Sequence, residues 1–509
     1  MVWLLFAACT AATVEPPDSG AEPEQCDDVD LVEVAVLEAT DLPTRGDLHH
    51  TVQGVAIGDL DGDGWLDALV GWGGGSFVMM NDATGSLQFD DRRGADGGSL
   101  SPAVAAALAD FDGDGDLDGV LSGWQGDSEL LWNDGTGHFD VVAIPGTAGA
   151  TFASALGDAD GDGDLDLFLS AASTDMSFEA IVAGEQVGDP NLLLLQTPDH
   201  EFQLTTDALP AGTLNGMTLH TVWFDAESDG DLDLYVGNDA GYYIEPNHLL
   251  LNDGHARFTL ATDCGCALAM LTMGVAVGDA DQDGLPDLYV TDVAGPNLLL
   301  NTGGATFADA TLVAHADIPA LAESMVSWGT AFVDLDADRD QDLLVTFGQS
   351  GQNFQDAGLD VEDGADQPSQ LLLSDGAGAY ARAAAPGFQD GSRTRTLALG
   401  DFDRDGRPDV ITVGKYFYRQ WRTTGGCEPG ITLQLAGKNA IGARVETTLG
   451  DQTDVAWNLP STTSASSAEE VYIGLGGAPK ADRIVVTWPG GLQTELVDVE
   501  AGVVRVAQP

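Results

Sequence analysis

Seven times along the chain, acidic residues recur in the pattern D-x-D-x-D-G-x-x-D, with a carboxylate at positions 1, 3, 5 and 9. The first three copies are Asp59, Asp61, Asp63, Asp67; Asp110, Asp112, Asp114, Asp118; and Asp158, Asp160, Asp162, Asp166. The fourth is Asp225, Glu227, Asp229, Asp233. The last three are Asp279, Asp281, Asp283, Asp287; Asp334, Asp336, Asp338, Asp342; and Asp401, Asp403, Asp405, Asp409. Four carboxylates crowded into one turn repel one another. A hard divalent cation relieves that repulsion. Calcium, which takes six to eight oxygens, suits such a turn better than magnesium, which keeps more of its water. The expected cofactor is therefore Ca2+, up to seven ions.

The spacing is that of the first half of an EF-hand loop, with the position-7 carbonyl as a further ligand. Glycine at position 6 (Gly64, Gly115, Gly163, Gly230, Gly284, Gly406) permits the sharp turn. Copy six has Arg339 there, which predicts weaker binding or a strained backbone. Copy four uses Glu227, a longer arm with the same chemistry. Position 12 is apolar (Val70 in copy one) rather than Glu, so the site reads as a clip between strands rather than between helices. The bland alternative for each turn is a solvated acidic loop. Recurrence about every 57 residues argues against it.

The elements that must position these turns read as strands. A short apolar run precedes each turn (Val55–Gly58, Ala105–Leu108, Ala153–Gly157, Thr221–Phe224, Val275–Gly278, Thr330–Val333, Leu397–Gly400). A second run follows it. A third often ends in Asn-Asp-Gly, and a fourth contains an aromatic such as Phe139, Phe258 or Tyr380. Four strands in each of seven units predict a seven-bladed β-propeller. Blade seven lacks a fourth strand, and Leu31–Leu37 is the segment expected to supply it and close the ring, removing two exposed sheet edges. A Cys26–Cys427 disulfide would then lock the closure, leaving Cys264 and Cys266 as each other's partners.

The chain carries 83 Asp and Glu against 18 Lys and Arg, a formal charge of −65, which excludes a phosphate-backbone binder. It also argues against docking on anionic membrane surfaces. With 44% hydrophobic residues, the acidity does not imply disorder. The first nine residues resemble the end of a bacterial lipoprotein signal, with Cys9 as lipid acceptor but no basic n-region. The expected division is a signal over 1–9, a flexible Pro-containing linker over 10–30, the propeller over 31–428 and a small β-sandwich-like domain over 429–509.

The blades resemble FG-GAP/VCBS-type repeats, the calcium-loop propeller also seen in integrin α-subunits. Lys438–Val445, Val471–Gly476 and Asp482–Gly491 resemble the ASPIC/UnbV module. The combination is similar to the cartilage acidic protein family in a bacterial, lipoprotein-like form, over about residues 32–509. The resemblance implies calcium loops on one face and partner contacts on the opposite rim, near Trp72, Trp124, Tyr242 and Tyr243. The function expected is an exported adhesion or interaction scaffold that is monomeric, secreted or lipid-anchored to the cell envelope or surface. Its partner would be a protein or a glycan on that rim, not a nucleic acid, and any membrane contact would be through the lipid alone. The alternative is a propeller-type polysaccharide lyase or dehydratase, which needs titratable groups at the central channel. Only His220 touches the inner strands, where a structural histidine is the commoner reading. His49 and His50 are poorly spaced for shared metal ligation, and no catalytic residue is assigned.

Overall fold

The structure, a computed structural model, describes residues 27–38, 54–90, 100–123, 126–149, 151–173, 178–185, 187–205, 207–213, 215–293, 295–318, 326–348, 367–385, 387–389, 394–414, 417–428, 430–437, 440–462 and 464–509. Cys9, Cys26, His49, His50 and Trp124 lie outside the described residues, as do most of the two segments expected as signal and linker.

Seven blades of four antiparallel strands form the propeller, and two further strands extend the sheet of blade one to six strands. Blade one is typical: Gly54–Gly58, Asp67–Gly71, Phe77–Asn81 and Leu87–Asp90 pair in sequence order. The innermost strands of the remaining blades are Ala105–Ala109, Thr151–Gly157, Thr218–Phe224, Thr272–Gly278, Ser327–Val333 and Thr394–Gly400. Each packs beside the next, and the seventh packs against the first, so the ring is closed. Closure comes from the amino terminus. Asp27–Glu38 pairs antiparallel with Phe417–Gly426 as the outer strand of blade seven, with Leu31 opposite Thr423 and Leu37 opposite Tyr418. Leu31 is fully buried against Phe388 and Trp421, so the apolar side of this strand is held by the blade-six to blade-seven core.

Large side chains fill the wedges between blades. Between blades four and five, Phe224, Tyr235, Leu249, Val275, Leu288, Leu299 and Phe307 form one buried cluster. The Cys264–Cys266 disulfide belongs to that cluster, on the connection from blade four to blade five, and Tyr235 Oη donates to the Cys266 carbonyl at 2.8 Å. Cys427 is disulfide-bonded as well. Trp72, expected on the open rim, is instead 2% exposed and packs against Phe77. Its indole fills the blade-one wedge, so it offers nothing to a partner. Tyr242 and Tyr243 do stand out from their rim, 62% and 45% exposed.

Beyond Gly426 the chain builds a second body of two sheets. Glu470–Ile473, Ile431–Ala436 and Gly502–Ala507 form one sheet. Gln452–Trp457, Arg444–Leu449, Lys480–Thr487 and Gln493–Glu500 form the other. Leu433, Val445, Val471, Ile484, Val486 and Trp488 pack between them.

A short hairpin leaves this domain, Ser461–Thr462 and Ala465–Ser466, and enters the centre of the propeller. Ser466 pairs in parallel with Ala56 of blade one, and Ser464 Oγ donates to the Phe152 carbonyl of blade three at 2.9 Å. The Ala468 N–H donates to the Leu399 carbonyl of blade seven at 3.0 Å. The hub is therefore filled by the chain's own hairpin, an arrangement that the repeat pattern gave no sign of.

Candidate metal centre

Each acidic turn lies between the innermost strand of a blade and the second strand, so position 9 (Asp67, Asp118, Asp166, Asp233, Asp287, Asp342, Asp409) is the first residue of that second strand. Because the strands alternate in direction, all seven turns open on one face of the ring.

The turn is wound by its own carboxylates. The position-1 Oδ2 accepts from the position-6 N–H in every copy, at 2.8 Å for Asp59 and Gly64 and 3.0 Å for Asp401 and Gly406. The position-5 Oδ1 accepts from the position-7 N–H, at 2.8 Å from Trp65 to Asp63 and 2.9 Å from Leu285 to Asp283. Position 9 ties three strands together. Asp287 accepts from the Ala280 N–H at 2.8 Å and from the Asn301 N–H, at the end of the third strand, at 2.7 Å.

Position 6 has φ between 84° and 99° in the six glycine copies, beyond the left-handed region that other residues tolerate. Arg339 adopts φ 89° in copy six, a genuine backbone strain at a non-glycine residue. Its guanidinium turns out of the loop and binds Asp454 of the C-terminal domain through Nε at 2.9 Å and Nη2 at 2.5 Å. That contact holds the residue where a glycine would ordinarily stand.

The fold brings the predicted ligands together in a particular subset. Positions 1, 3 and 9 converge in loops one, two, three, five and six, each offering an oxygen within 4.8 Å of the other two: Asp59, Asp61, Asp67; Asp110, Asp112, Asp118; Asp158, Asp160, Asp166; Asp279, Asp281, Asp287; and Asp334, Asp336, Asp342. Position 5 stays near position 1, since the charge of Asp63 acts on Asp59 and that of Asp283 on Asp279. In loop four, Glu227 lies against Asp225 and Asp229.

Buried carboxylate oxygens in these turns have no hydrogen-bond partner: Oδ1 of Asp59, Asp160, Asp281, Asp336 and Asp403. Native proteins leave few such atoms unsatisfied, and a cation is the partner that fits a ring of acceptors with no donor. Burial raises Asp67 and Asp118 to about 7, and Asp166, Asp233 and Asp287 to about 8. In each, backbone N–H groups oppose the shift and neighbouring carboxylates add to it. These side chains resist ionising unless positive charge is supplied. The residues present therefore fit a hard divalent cation.

Loop seven differs. Arg422 lies 2.6 Å from Asp403, and Arg407 lies 4.0 Å from Asp405, so positions 3 and 5 already face guanidinium charge.

One set of residues escaped the sequence reading. The residue that ends the third strand (Asn81, Asn133, Gln196, Asn252, Asn301) reaches into the preceding blade and donates to the position-2 carbonyl of its acidic turn. The distances are 3.1 Å to Phe402, 2.9 Å to Leu60, 2.9 Å to Phe111, 2.8 Å to Ala159 and 2.9 Å to Ala226. Each such amide couples one acidic turn to the next around the ring. The Asn-Asp-Gly signature was legible, but only as a turn.

His220 is fully buried in the innermost strand of blade four, and burial pushes its pKa down to about 4, so it is neutral at physiological pH.

Residues 110–169 and 225–290 match the FG-GAP-like repeat, and residues 435–506 match ASPIC and UnbV. The chain carries FG-GAP-like repeats and a C-terminal ASPIC and UnbV domain. The matched repeats span turns two, three, four and five. The search of curated proteins gives no match. Among solved structures the chain is similar to a lectin of Agrocybe aegerita that recognises non-reducing terminal N-acetylglucosamine, at 17% identity and TM-score 0.40, covering 72% of this chain and 86% of that one. It is also similar to BBS1N in complex with ARL6DN, at 9% identity and TM-score 0.44, covering 77% and 97%. A third is the V. cholerae biofilm matrix protein Bap1, at 11% identity and TM-score 0.31, covering 92% and 62%. Likeness at these levels carries no statement about a ligand.

The ASPIC and UnbV domain sits on the face where the acidic turns open. Thr432 Oγ1 donates to Asp401 Oδ2 at 2.9 Å, and the Asp401 N–H donates to Glu470 Oε2 at 3.1 Å. The Gly476 N–H donates to the Ala337 carbonyl in loop six at 2.9 Å.

Proposed function

We propose that this chain is a calcium-dependent interaction scaffold that works outside the cytoplasm, with bound ions neutralising the acidic turns and the rim opposite them presented to a protein or glycan. The observation that carries the reading is the repeated convergence of positions 1, 3 and 9, with buried carboxylate oxygens left without donors. A bound ion would supply positive charge to each turn. The chain's own residues would then fix the innermost strand to the second strand and, through Asn133 or Asn252, one blade to the next.

Occupation of the turn face by the ASPIC and UnbV domain supports use of the other rim, where Tyr242 and Tyr243 are exposed aromatics of the kind that stack on sugars or anchor a protein. Export and lipid anchoring through Cys9 belong to this proposal. No helix among the described residues is long and apolar enough to cross a membrane.

The lyase or dehydratase reading needs a reachable group in the hub. His220 is fully buried there, and the hairpin around Ser464 occupies the space a sugar would need. Glycan-array and pull-down binding by the full chain tests the proposal. Binding without turnover, weakened in a Tyr242→Ser/Tyr243→Ser double variant and by calcium removal, is expected. Product release from a polyuronate would overturn it.

A further inference from the structure

The ASPIC and UnbV domain does not rest evenly on the turn face. Its polar contacts with the acidic turns concentrate on loops six and seven. Loop six carries five carboxylates, Asp334, Asp336, Asp338, Asp340 and Asp342, within nine residues. Its one basic side chain, Arg339, faces outward to Asp454 and Gln452 of the domain. Asp340 is 7% exposed, and its Oδ1, like that of Asp336, has no donor.

The domain presses its backbone directly onto this loop. A Cβ placed on Gly474 would lie 1.9 Å from Asp334 Oδ2 and 2.7 Å from the Ala337 backbone, so only glycine fits the seat. The Cys427 N–H, at the start of the linker between the two bodies, donates to the Asp336 carbonyl at 2.6 Å. At loop seven, Glu470 accepts from the Asp401 N–H and from Tyr472 Oη. Any spreading of loop six moves Asp334, the Ala337 carbonyl and Arg339 together, and with them the Gly474, Gly476 and Asp454 contacts. The hub hairpin is continuous with the same domain a few residues away: the Ser467 N–H donates to the Pro460 carbonyl at its base, and the Glu470 N–H donates to the Ala468 carbonyl.

We propose that a cation in loop six, backed by loop seven, holds the ASPIC and UnbV domain in its seat, so that cation loss there releases the hairpin from the hub. This inference rests on the calcium reading above and assigns regulation to one part of it. Loop three makes no hydrogen bond to the domain among the described contacts, and it serves as the internal control. Linkage requires the reverse effect as well: loosening the domain must weaken one cation site by the same factor.

The test uses the full chain with calcium. Asp336→Asn/Asp338→Asn removes the loop-six cation, and Asp160→Asn/Asp162→Asn removes the loop-three cation. Cation number is read by native mass spectrometry and amide hydrogen exchange by peptide mapping. Each variant is expected to lose one ion. In the loop-six variant the amide of Ala468, which donates to Leu399 of blade seven, exchanges at least tenfold faster, whereas the loop-three variant leaves it unchanged.

A second variant, Asp454→Ala, leaves every candidate ligand in place. It is expected to weaken a single site about tenfold in chelator competition, the counterpart of the linkage. Loss of an ion from loop six with the hairpin still fully protected, or Asp454→Ala with all sites unchanged, overturns the coupling alone. No ion lost from either loop variant overturns the calcium reading and the coupling with it.

Discussion

Metal-free protein should grow less stable as pH rises. The position-9 carboxylates have an unfolded value of 3.8 and folded values of about 7 for Asp67 and Asp118 and about 8 for Asp166, Asp233 and Asp287. A group raised on folding holds its proton longer in the native state, so the native state binds more protons between those two values. Stability is therefore fullest below about pH 4 and is lost progressively up to about pH 8. A rise of about three units corresponds to about 4 kcal/mol for one carboxylate. Even two or three such groups, ionised without compensation, reach the whole stability of an ordinary domain, about 5–15 kcal/mol. At neutral pH the metal-free turns must therefore stay protonated or open. With cations bound the carboxylates are already charged, and stability should vary little from pH 6 to 8. Melting of calcium-depleted and calcium-loaded protein from pH 5 to 8.5 tests this. A depleted protein that melts as high at pH 8 as at pH 5 would refute the reasoning.

Asn252→Ala should lower stability by about 1–3 kcal/mol, because it removes the buried amide that donates to the Leu232 and Ala159 carbonyls, the latter keeping its bond from the Ala256 N–H; urea unfolding with calcium present reads the loss, and a change under about 0.5 kcal/mol would speak against the interblade amide. Arg422→Ala should tighten loop seven, since it removes the guanidinium beside Asp403; a calcium titration showing weaker total binding would contradict that. Calcium-depleted protein, with its formal charge of −65, should melt higher as NaCl rises from about 0.05 M to about 1 M, because screening relieves self-repulsion; an unchanged or lower melting temperature would count against it.

The blades were legible because each unit repeats the same four runs with its carboxylates at fixed offsets, and because Leu31–Leu37 alternates in a stretch with no other assignment. The position-6 glycines were legible for the same reason, and the left-handed Arg339 could be flagged by its departure from them. Long-range amide contacts were not legible. Asn133 and Asn252 look like ordinary turn residues until the neighbouring blade brings Leu60 and Ala159 beside them. Trp72 could not be told from a rim aromatic, since sequence places it on a loop but does not say which way the indole turns. The hairpin of Ser461–Ser466 is Ser/Thr-rich and was not set apart from the rest of the small β domain. Its burial depends on a hub lined by small residues such as Ala56 and Gly54, a match between two segments about 400 residues apart.

The central claim is that the acidic turns hold hard divalent ions and thereby fasten the ring. Isothermal calorimetry of calcium into depleted protein, with the bound ions counted independently by elemental analysis, tests it most directly. The account predicts five to seven ions per chain, from the triads of loops one, two, three, five and six up to all seven turns. Two or fewer would contradict it.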